Sequence, residues 1–123
     1  MLLIDDEEVM HYLVRQLLPR GRYRFSIASD GRDGLDRLAE AGADVILLDL
    51  RMPGIDGFGL LDRLAEDPAL NQLPVIILTS TALSSEDRSE LERASITLSK
   101  SELSSATGAI ERVQHADARI GAA

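Results

Sequence analysis

The feature that most constrains the fold is an unbroken apolar run that stops on a carboxylate. Residues 45–48 are Val-Ile-Leu-Leu, and four consecutive apolar residues are typical of a strand that is buried on both faces. The run ends at Asp49, and the Pro53-Gly54 pair that follows favours a tight turn. Asp49 is therefore expected at the carboxyl end of a buried strand. In an open α/β sheet, ligands bind at that edge.

The composition narrows the classes of function. A chain of 123 residues, 45% hydrophobic and 28% charged, is long enough for one globular domain. Its formal net charge of -8 argues against direct contact with nucleic acid or with an anionic membrane surface, both of which attract Lys and Arg. Because cysteine is absent, neither a disulfide framework nor a thiolate metal site is available. No secretion signal or long apolar span is recognisable, so we expect a cytoplasmic location.

Short apolar segments alternate with helical patterns along the chain, which predicts a parallel sheet with helical crossovers. Three segments are continuously apolar and are expected in the centre of the sheet, whereas two alternate with polar residues and are expected at its edges. The strand order 2-1-3-4-5 satisfies both conditions. The predicted fold class is therefore α/β, a flavodoxin-like (βα)5 three-layer sandwich with a five-stranded parallel sheet. The central segments are residues 2–4, 45–48 and 75–78, and the edge segments are residues 25–28 and 96–99.

Five helices are expected between and after these strands. The fourth, over residues 84–94, is polar on nearly all sides, so few of its side chains are expected to pack on the sheet. We expect one domain over residues 1–116 and a frayed tail over residues 117–123. In the first helix, two neighbouring rows are apolar, Val9-Leu13-Leu17 and Met10-Val14-Leu18.

Polar residues close four of the predicted strands at the same edge of the sheet. They are Asp5 and Asp6, Asp49, Thr79 and Lys100. Carboxylates this close repel one another, by roughly a few kcal/mol per pair at an effective dielectric of about 20. A hard divalent cation removes the conflict, and Mg²⁺ prefers carboxylate oxygens, water and phosphate oxygens. Lys100 offers a mobile charge and Thr79 a hydroxyl, both of which suit phosphoryl oxygens.

The order and spacing of these residues resemble the receiver domain of two-component response regulators, and the resemblance covers essentially the whole chain. Any one matching segment is weakly specific, but together they are highly specific. The segment after the lysine, Lys100-Ser101-Glu102-Leu103, is also similar to that of receivers attached to hybrid sensor histidine kinases. The matching segments are Leu3-Ile4-Asp5-Asp6-Glu7, Leu48-Asp49-Leu50-Arg51-Met52-Pro53-Gly54-Ile55-Asp56-Gly57, Leu78-Thr79-Ser80 and Leu98-Ser99-Lys100.

The resemblance implies a role for each acidic residue. Asp49 is the nucleophile, which forms an aspartyl phosphate from a phosphohistidine of a sensor histidine kinase or phosphotransfer protein. Asp6 binds Mg²⁺ directly, and Asp5 does so mostly through water. Asp49 and the backbone carbonyl of Arg51 complete the protein ligands. Such a domain catalyses only its own phosphorylation and dephosphorylation, and it is not an enzyme with an external substrate.

The resemblance also implies a switch. Lys100 pairs with the phosphoryl group and Thr79 moves toward it, so that the surface of helix 4, strand 5 and helix 5 changes. The candidate switch residues are Thr79 and Thr97. Many receivers carry Tyr or Phe at the second of these positions, three residues before the lysine, where this chain has Thr97. Most receivers also have Pro after the lysine, where this chain has Ser101. Dimerisation through the helix 4 face is left open.

Three other functions match parts of the pattern. A phosphate-independent pseudo-receiver would act as a docking module, and only Thr97 favours it. An aspartate-nucleophile phosphohydrolase carries a second Asp two residues after its nucleophile, where this chain has Arg51. An FMN-binding flavodoxin is disfavoured because acidic residues 5–8 would repel the flavin phosphate. His11 and His115 have no partner at ligand spacing, and we predict that His11 is a helix-surface residue rather than a phosphorelay histidine.

Overall fold

The computed structural model describes residues 1–17, 24–50, 54, 56–79, 83–91, 96–99 and 108. The fifth predicted helix falls almost entirely outside these residues, and the tail lies wholly outside them. The strands are β1 (Leu2–Ile4), β2 (Ser26–Ala28), β3 (Ile46–Asp49), β4 (Val75–Thr79) and β5 (Ile96–Ser99). The helices of the described ranges are α1 (Glu8–Leu17), α2 (Gly31–Ala41), α3 (Gly57–Glu66) and α4 (Ser85–Glu90).

The five strands form one parallel sheet in the order β2-β1-β3-β4-β5. This order confirms the predicted topology. Ile46 of β3 lies beside Leu2 of β1 and Val75 of β4, so the three continuously apolar segments are in the centre. The two alternating segments, β2 and β5, are at the edges, where helices cover the faces of a strand less completely.

Successive side chains of the central strands pack on opposite faces of the sheet. Leu47 and Ile76 belong to the apolar cluster that includes residues of α1. Leu48 and Ile77 belong to a second cluster that includes residues of α2 and α3. Each fully buried Leu or Ile side chain stabilises the fold by roughly 1.5–3 kcal/mol relative to exposure. The sheet is therefore the middle layer of three, as predicted.

The first helix buries only one of its two apolar rows. Met10 and Val14 are buried against the sheet, whereas the other row faces solvent. Because successive residues of a helix are about 100° apart, a single helix lying on a sheet buries one row fully and leaves its neighbour at the margin. The sequence alone does not distinguish the two rows. The exposed apolar side chains of α1 are Val9, Tyr12, Leu13 and Leu17.

Side-chain caps mark where α3 and α4 begin. Asp56 caps α3 by accepting a hydrogen bond from the Gly59 N–H at 2.9 Å. Ser84 and Asp87 form a reciprocal capping box on α4. This helix has six residues and none of them is buried, in agreement with its polar sequence, while residues 92–94 of the longer predicted helix lie outside the described part. Within the described ranges, no helix is both long and apolar enough to span a membrane.

Candidate functional site

Three of the predicted site residues lie at one edge of the sheet. Asp5 directly follows β1, Asp49 is the last residue of β3, and Thr79 is the last residue of β4. Ile4 pairs with Leu48, so the residues that follow them, Asp5 and Asp49, are neighbours. Thr79 lies one residue beyond the β4 partner of Asp49. The parallel register therefore delivers all three side chains to the carboxyl ends of central strands.

Carboxylates converge at this edge. Asp5 is 0% exposed and Asp49 is 2% exposed, whereas Asp6 and Glu7 are open to solvent. One carboxylate oxygen from each of these four residues lies within 4.8 Å of those of the other three. The structure thus brings Asp5, Asp6 and Asp49 together and adds Glu7, which the sequence analysis did not assign to the site.

Hydrogen bonds organise the loop between β1 and α1. The Asp5 N–H donates to the carbonyl of Ala28 at 3.1 Å, and the Glu7 N–H donates to Asp5 Oδ1 at 2.8 Å. The imidazole Nε2 of His11 donates to the carbonyl oxygen of Asp5. His11 is half-buried on α1, and its contact with the loop was not predicted from the sequence. The available signal was its place near the start of α1, since helical side chains point back toward the N-terminus.

The backbone around Asp49 is held by close contact with the start of α3. The Gly57 N–H donates to the carbonyl of Leu50 at 3.0 Å. A β-carbon at Gly57 would lie 2.6 Å from the Leu50 α-carbon and 2.8 Å from the Asp49 carbonyl oxygen. Only glycine permits this approach. Gly54, in the intervening loop, has a φ of 75°, which glycine adopts without strain.

Of the remaining predicted site residues, the structure describes Thr79 and Thr97 but not Lys100 or Arg51. Thr79 is 3% exposed, and Thr97 of β5 is exposed. Thr79 pairs with Ser99, so β5 ends beside the site, one residue before Lys100. Lys100 and Arg51 themselves lie outside the described residues, and their roles remain predictions.

The electrostatics of the cluster suit a divalent cation. Two unit charges 4.8 Å apart repel by about 3.5 kcal/mol at an effective dielectric of about 20. Solvent screens this repulsion for the two exposed carboxylates more than for Asp5 and Asp49. The described donors are carboxylate oxygens, the ligands that hard cations such as Mg²⁺ select. The residues present therefore fit Mg²⁺.

The fold and this edge define a doubly wound α/β domain with an acidic site, and comparison with known proteins identifies the family. The family model of the response regulator receiver domain matches residues 1–115. The chain belongs to this family, whose members are signalling modules of two-component systems. It is 39% identical over 80 residues to the transcriptional regulatory protein AfsQ1 of Streptomyces coelicolor, a match that covers 65% of this chain and 34% of that protein. The chain therefore spans about a third of the length of that relative.

Solved structures agree with this assignment. The N-terminal domain of a response regulator receiver protein from Methanoculleus marisnigri is 31% identical, with a TM-score of 0.73 over 80% of each chain. The chemotaxis protein CheY4 of Vibrio cholerae is 27% identical, with a TM-score of 0.81 over 91% of this chain and 95% of that chain. The flavodoxin-like arrangement predicted from the strand pattern is thus the arrangement of receiver domains.

Proposed function

We propose that this receiver domain takes a phosphoryl group from a phosphohistidine onto Asp49 in a Mg²⁺-dependent reaction. An Asp49 carboxylate oxygen forms a bond to phosphorus while the phosphorus–nitrogen bond breaks, and the electron pair of that bond returns to the imidazole. The products are an aspartyl phosphate and a free histidine on the donor. The observation that supports this proposal is the burial of Asp49 at the end of β3, with three other carboxylates within 4.8 Å.

Four residues would hold the cation. They are Asp5, Asp6 and Asp49, together with the backbone carbonyl of Arg51. Bound Mg²⁺ neutralises carboxylate charge and polarises phosphoryl oxygens. The chain itself contributes orientation: the ladder of β1 and β3 fixes Asp5 beside Asp49, and Gly57 fixes the backbone that carries the nucleophile.

The same proposal includes a switch. Phosphorylation adds roughly two negative charges at Asp49. Thr79, buried at the end of the neighbouring strand, would donate a hydrogen bond from its hydroxyl to the new group, and Lys100 would supply the balancing charge. The readout would be the surface of α4, β5 and the last helix. Because Thr97 is exposed and has no aromatic ring, the Thr79 hydroxyl would carry the change without an aromatic partner.

The donor would be a sensor histidine kinase or a phosphotransfer protein that docks on α1. This helix starts directly after the acidic loop and exposes Val9 and Tyr12, which are 65% and 63% accessible, beside Leu13 and Leu17. Large apolar side chains grouped on one exposed helix are typical of a protein-binding surface. A Leu17→Glu variant should slow transfer from a phosphorylated phosphotransfer domain more than transfer from a small phosphodonor. Equal slowing with both donors would contradict docking on this helix.

Several finer points belong to the same proposal. The domain would span residues 1–116, followed by a frayed tail, and would reside in the cytoplasm. It would dephosphorylate itself, turn over no external substrate, and make no direct contact with nucleic acid or membrane. Dimerisation through the α4 face is compatible with the exposure of that helix. A phosphate-independent docking module is not favoured, because the buried Asp5 and Asp49 have no role in it.

Intact mass measured after incubation with a small phosphodonor tests the proposal. The chain should gain one phosphoryl group in the presence of Mg²⁺ and none in a chelator. Asp49→Asn should remain unmodified. Asp36→Asn, at an exposed position of α2, is the matched control and should be modified like the unaltered chain. A Mg²⁺-dependent adduct on the Asp49→Asn variant would refute the assignment of the nucleophile.

A further inference from the structure

The side chain of His11 reaches back from α1 to the loop that carries the acidic residues. Its Nε2 atom is within hydrogen-bond distance of the Asp5 carbonyl oxygen, six residues earlier in the chain. Because a carbonyl oxygen only accepts, the Nε2 atom must carry the proton of this hydrogen bond. The ring is half-buried, so its contact with the loop is partly shielded from competing water.

His11 is also joined to this loop through its own backbone. Its N–H donates to the Glu7 carbonyl at 3.3 Å, while the Glu7 N–H donates to Asp5 Oδ1 at 2.8 Å. The hydrogen bond from the His11 ring to the Asp5 carbonyl completes a closed ring of contacts, which links Asp5, Glu7 and His11. Residues 5–7 are therefore held from both ends, by β1 on one side and by the His11 side chain on the other.

This closure matters because the loop presents three of the four clustered carboxylates. Their mutual repulsion favours any backbone movement that separates them. A loop that is held in place presents its oxygens to a cation without a further cost of ordering. We propose that His11 is a positioning residue for the Mg²⁺ site, one that acts through the backbone of Asp5 and does not ligate the cation. This inference rests on the proposed function.

Two substitutions separate the hydrogen bond from the bulk of the ring. His11→Leu keeps an apolar side chain on the helix but removes the donor. His11→Gln restores a donor, because its amide nitrogen reaches a similar distance from the backbone as the imidazole Nε2 atom. Gln16→Ala, at an exposed position of the same helix, is the matched control.

The first measurement is the Mg²⁺ dissociation constant of each folded variant by titration calorimetry. We expect about tenfold weaker binding for His11→Leu, as is common for residues that orient metal ligands, with recovery in His11→Gln and no change in Gln16→Ala. The second is hydrogen exchange of the Glu7 amide in a chelator, which should be faster in His11→Leu alone. Unchanged affinity in His11→Leu would overturn the inference whatever the exchange rate, as would equal losses of affinity in the Leu and Gln variants.

The failure of the proposed function is distinguishable from the failure of this inference. If the unaltered folded chain binds no Mg²⁺, both the proposed function and the role of His11 are refuted. If the unaltered chain binds Mg²⁺ and every His11 variant binds it equally, only the role of His11 falls.

Discussion

Removing the charge of Asp49 should stabilise the metal-free domain. Asp5 and Asp49 are both buried, and their nearest clustered oxygens lie within 4.8 Å of each other. At that separation and an effective dielectric of about 20, Coulomb's law gives about 3.5 kcal/mol of repulsion between unit charges. The exposed Asp6 and Glu7 contribute less because water screens them. Allowing for rearrangement of the site, we expect Asp49→Asn to raise the free energy of unfolding by about 1–3 kcal/mol.

The assay is thermal unfolding in a chelator and again in Mg²⁺. For a domain of this size, the gain in the chelator corresponds to roughly 4–12 °C in the unfolding midpoint. Mg²⁺ should narrow the difference in unfolding midpoint between Asp49→Asn and the unaltered chain. At ten times its dissociation constant the cation stabilises the unaltered chain by about 1.4 kcal/mol, whereas the variant has lost a ligand and gains less. Glu40→Gln, exposed on α2, measures the general effect of removing one negative charge from a chain of net charge -8.

The result that would refute this reasoning is an Asp49→Asn variant that unfolds in the chelator at or below the temperature of the unaltered chain. An increase no larger than that of Glu40→Gln would refute it equally, because the stabilisation would then reflect overall charge and not the cluster.

Three further predictions concern the scaffold. Gly57→Ala should lower the free energy of unfolding by about 2 kcal/mol in urea titrations, because its β-carbon would overlap the Leu50 backbone; an unchanged midpoint would show that the contact relaxes freely. Asp30→Ala should lower it by about 1 kcal/mol, because the cap of α2 to the Asp33 N–H is lost, and Asp30→Ser should restore most of it. Burial lowers the pKa of the Met1 amine in the folded chain below 8.0. Between the lowered pKa and pH 8.0 the unfolded chain therefore binds more protons than the folded chain, so the free energy of unfolding should rise with pH in this range and level off above pH 8.0. An acetylated amine should abolish this rise in urea midpoints, and a rise that survives acetylation would assign it to another group.

The predictability of the fold depended on burial patterns. The continuously apolar segments indicated the three central strands and the alternating ones the two edges, because a strand covered on both faces has no position for a polar side chain. The flavodoxin-like order 2-1-3-4-5 satisfies both conditions, and it is the observed order. The edge at which Asp5, Asp49 and Thr79 lie followed from that order, since parallel strands end together. The buried face of the first helix could not be predicted, because its sequence carries two apolar rows. Packing against the sheet selects the row of Met10 and Val14.

Sequence patterns predicted only some of the residues at the candidate site. The place of Glu7 in the cluster and the contact of His11 with the Asp5 carbonyl were missed, because both depend on the path of the backbone between β1 and α1. Neither residue type nor spacing marks that path, since a loop of two or three residues has many conformations and the neighbouring elements select one. Likewise, the close approach of Gly57 to the strand end depends on how α3 packs on the sheet.

The sequence by itself indicated which strands are central and at which edge of the sheet the acids gather, because these follow from one-dimensional patterns of burial and from the position of polar residues within them. The assignment of Asp49 as the candidate nucleophile came from the resemblance to receiver domains. Tertiary structure alone decided which carboxylates lie within 4.8 Å of one another, which row of α1 is exposed, and that His11 donates to the loop. Those properties are distances between elements, and such distances are fixed only when the helices pack against the sheet.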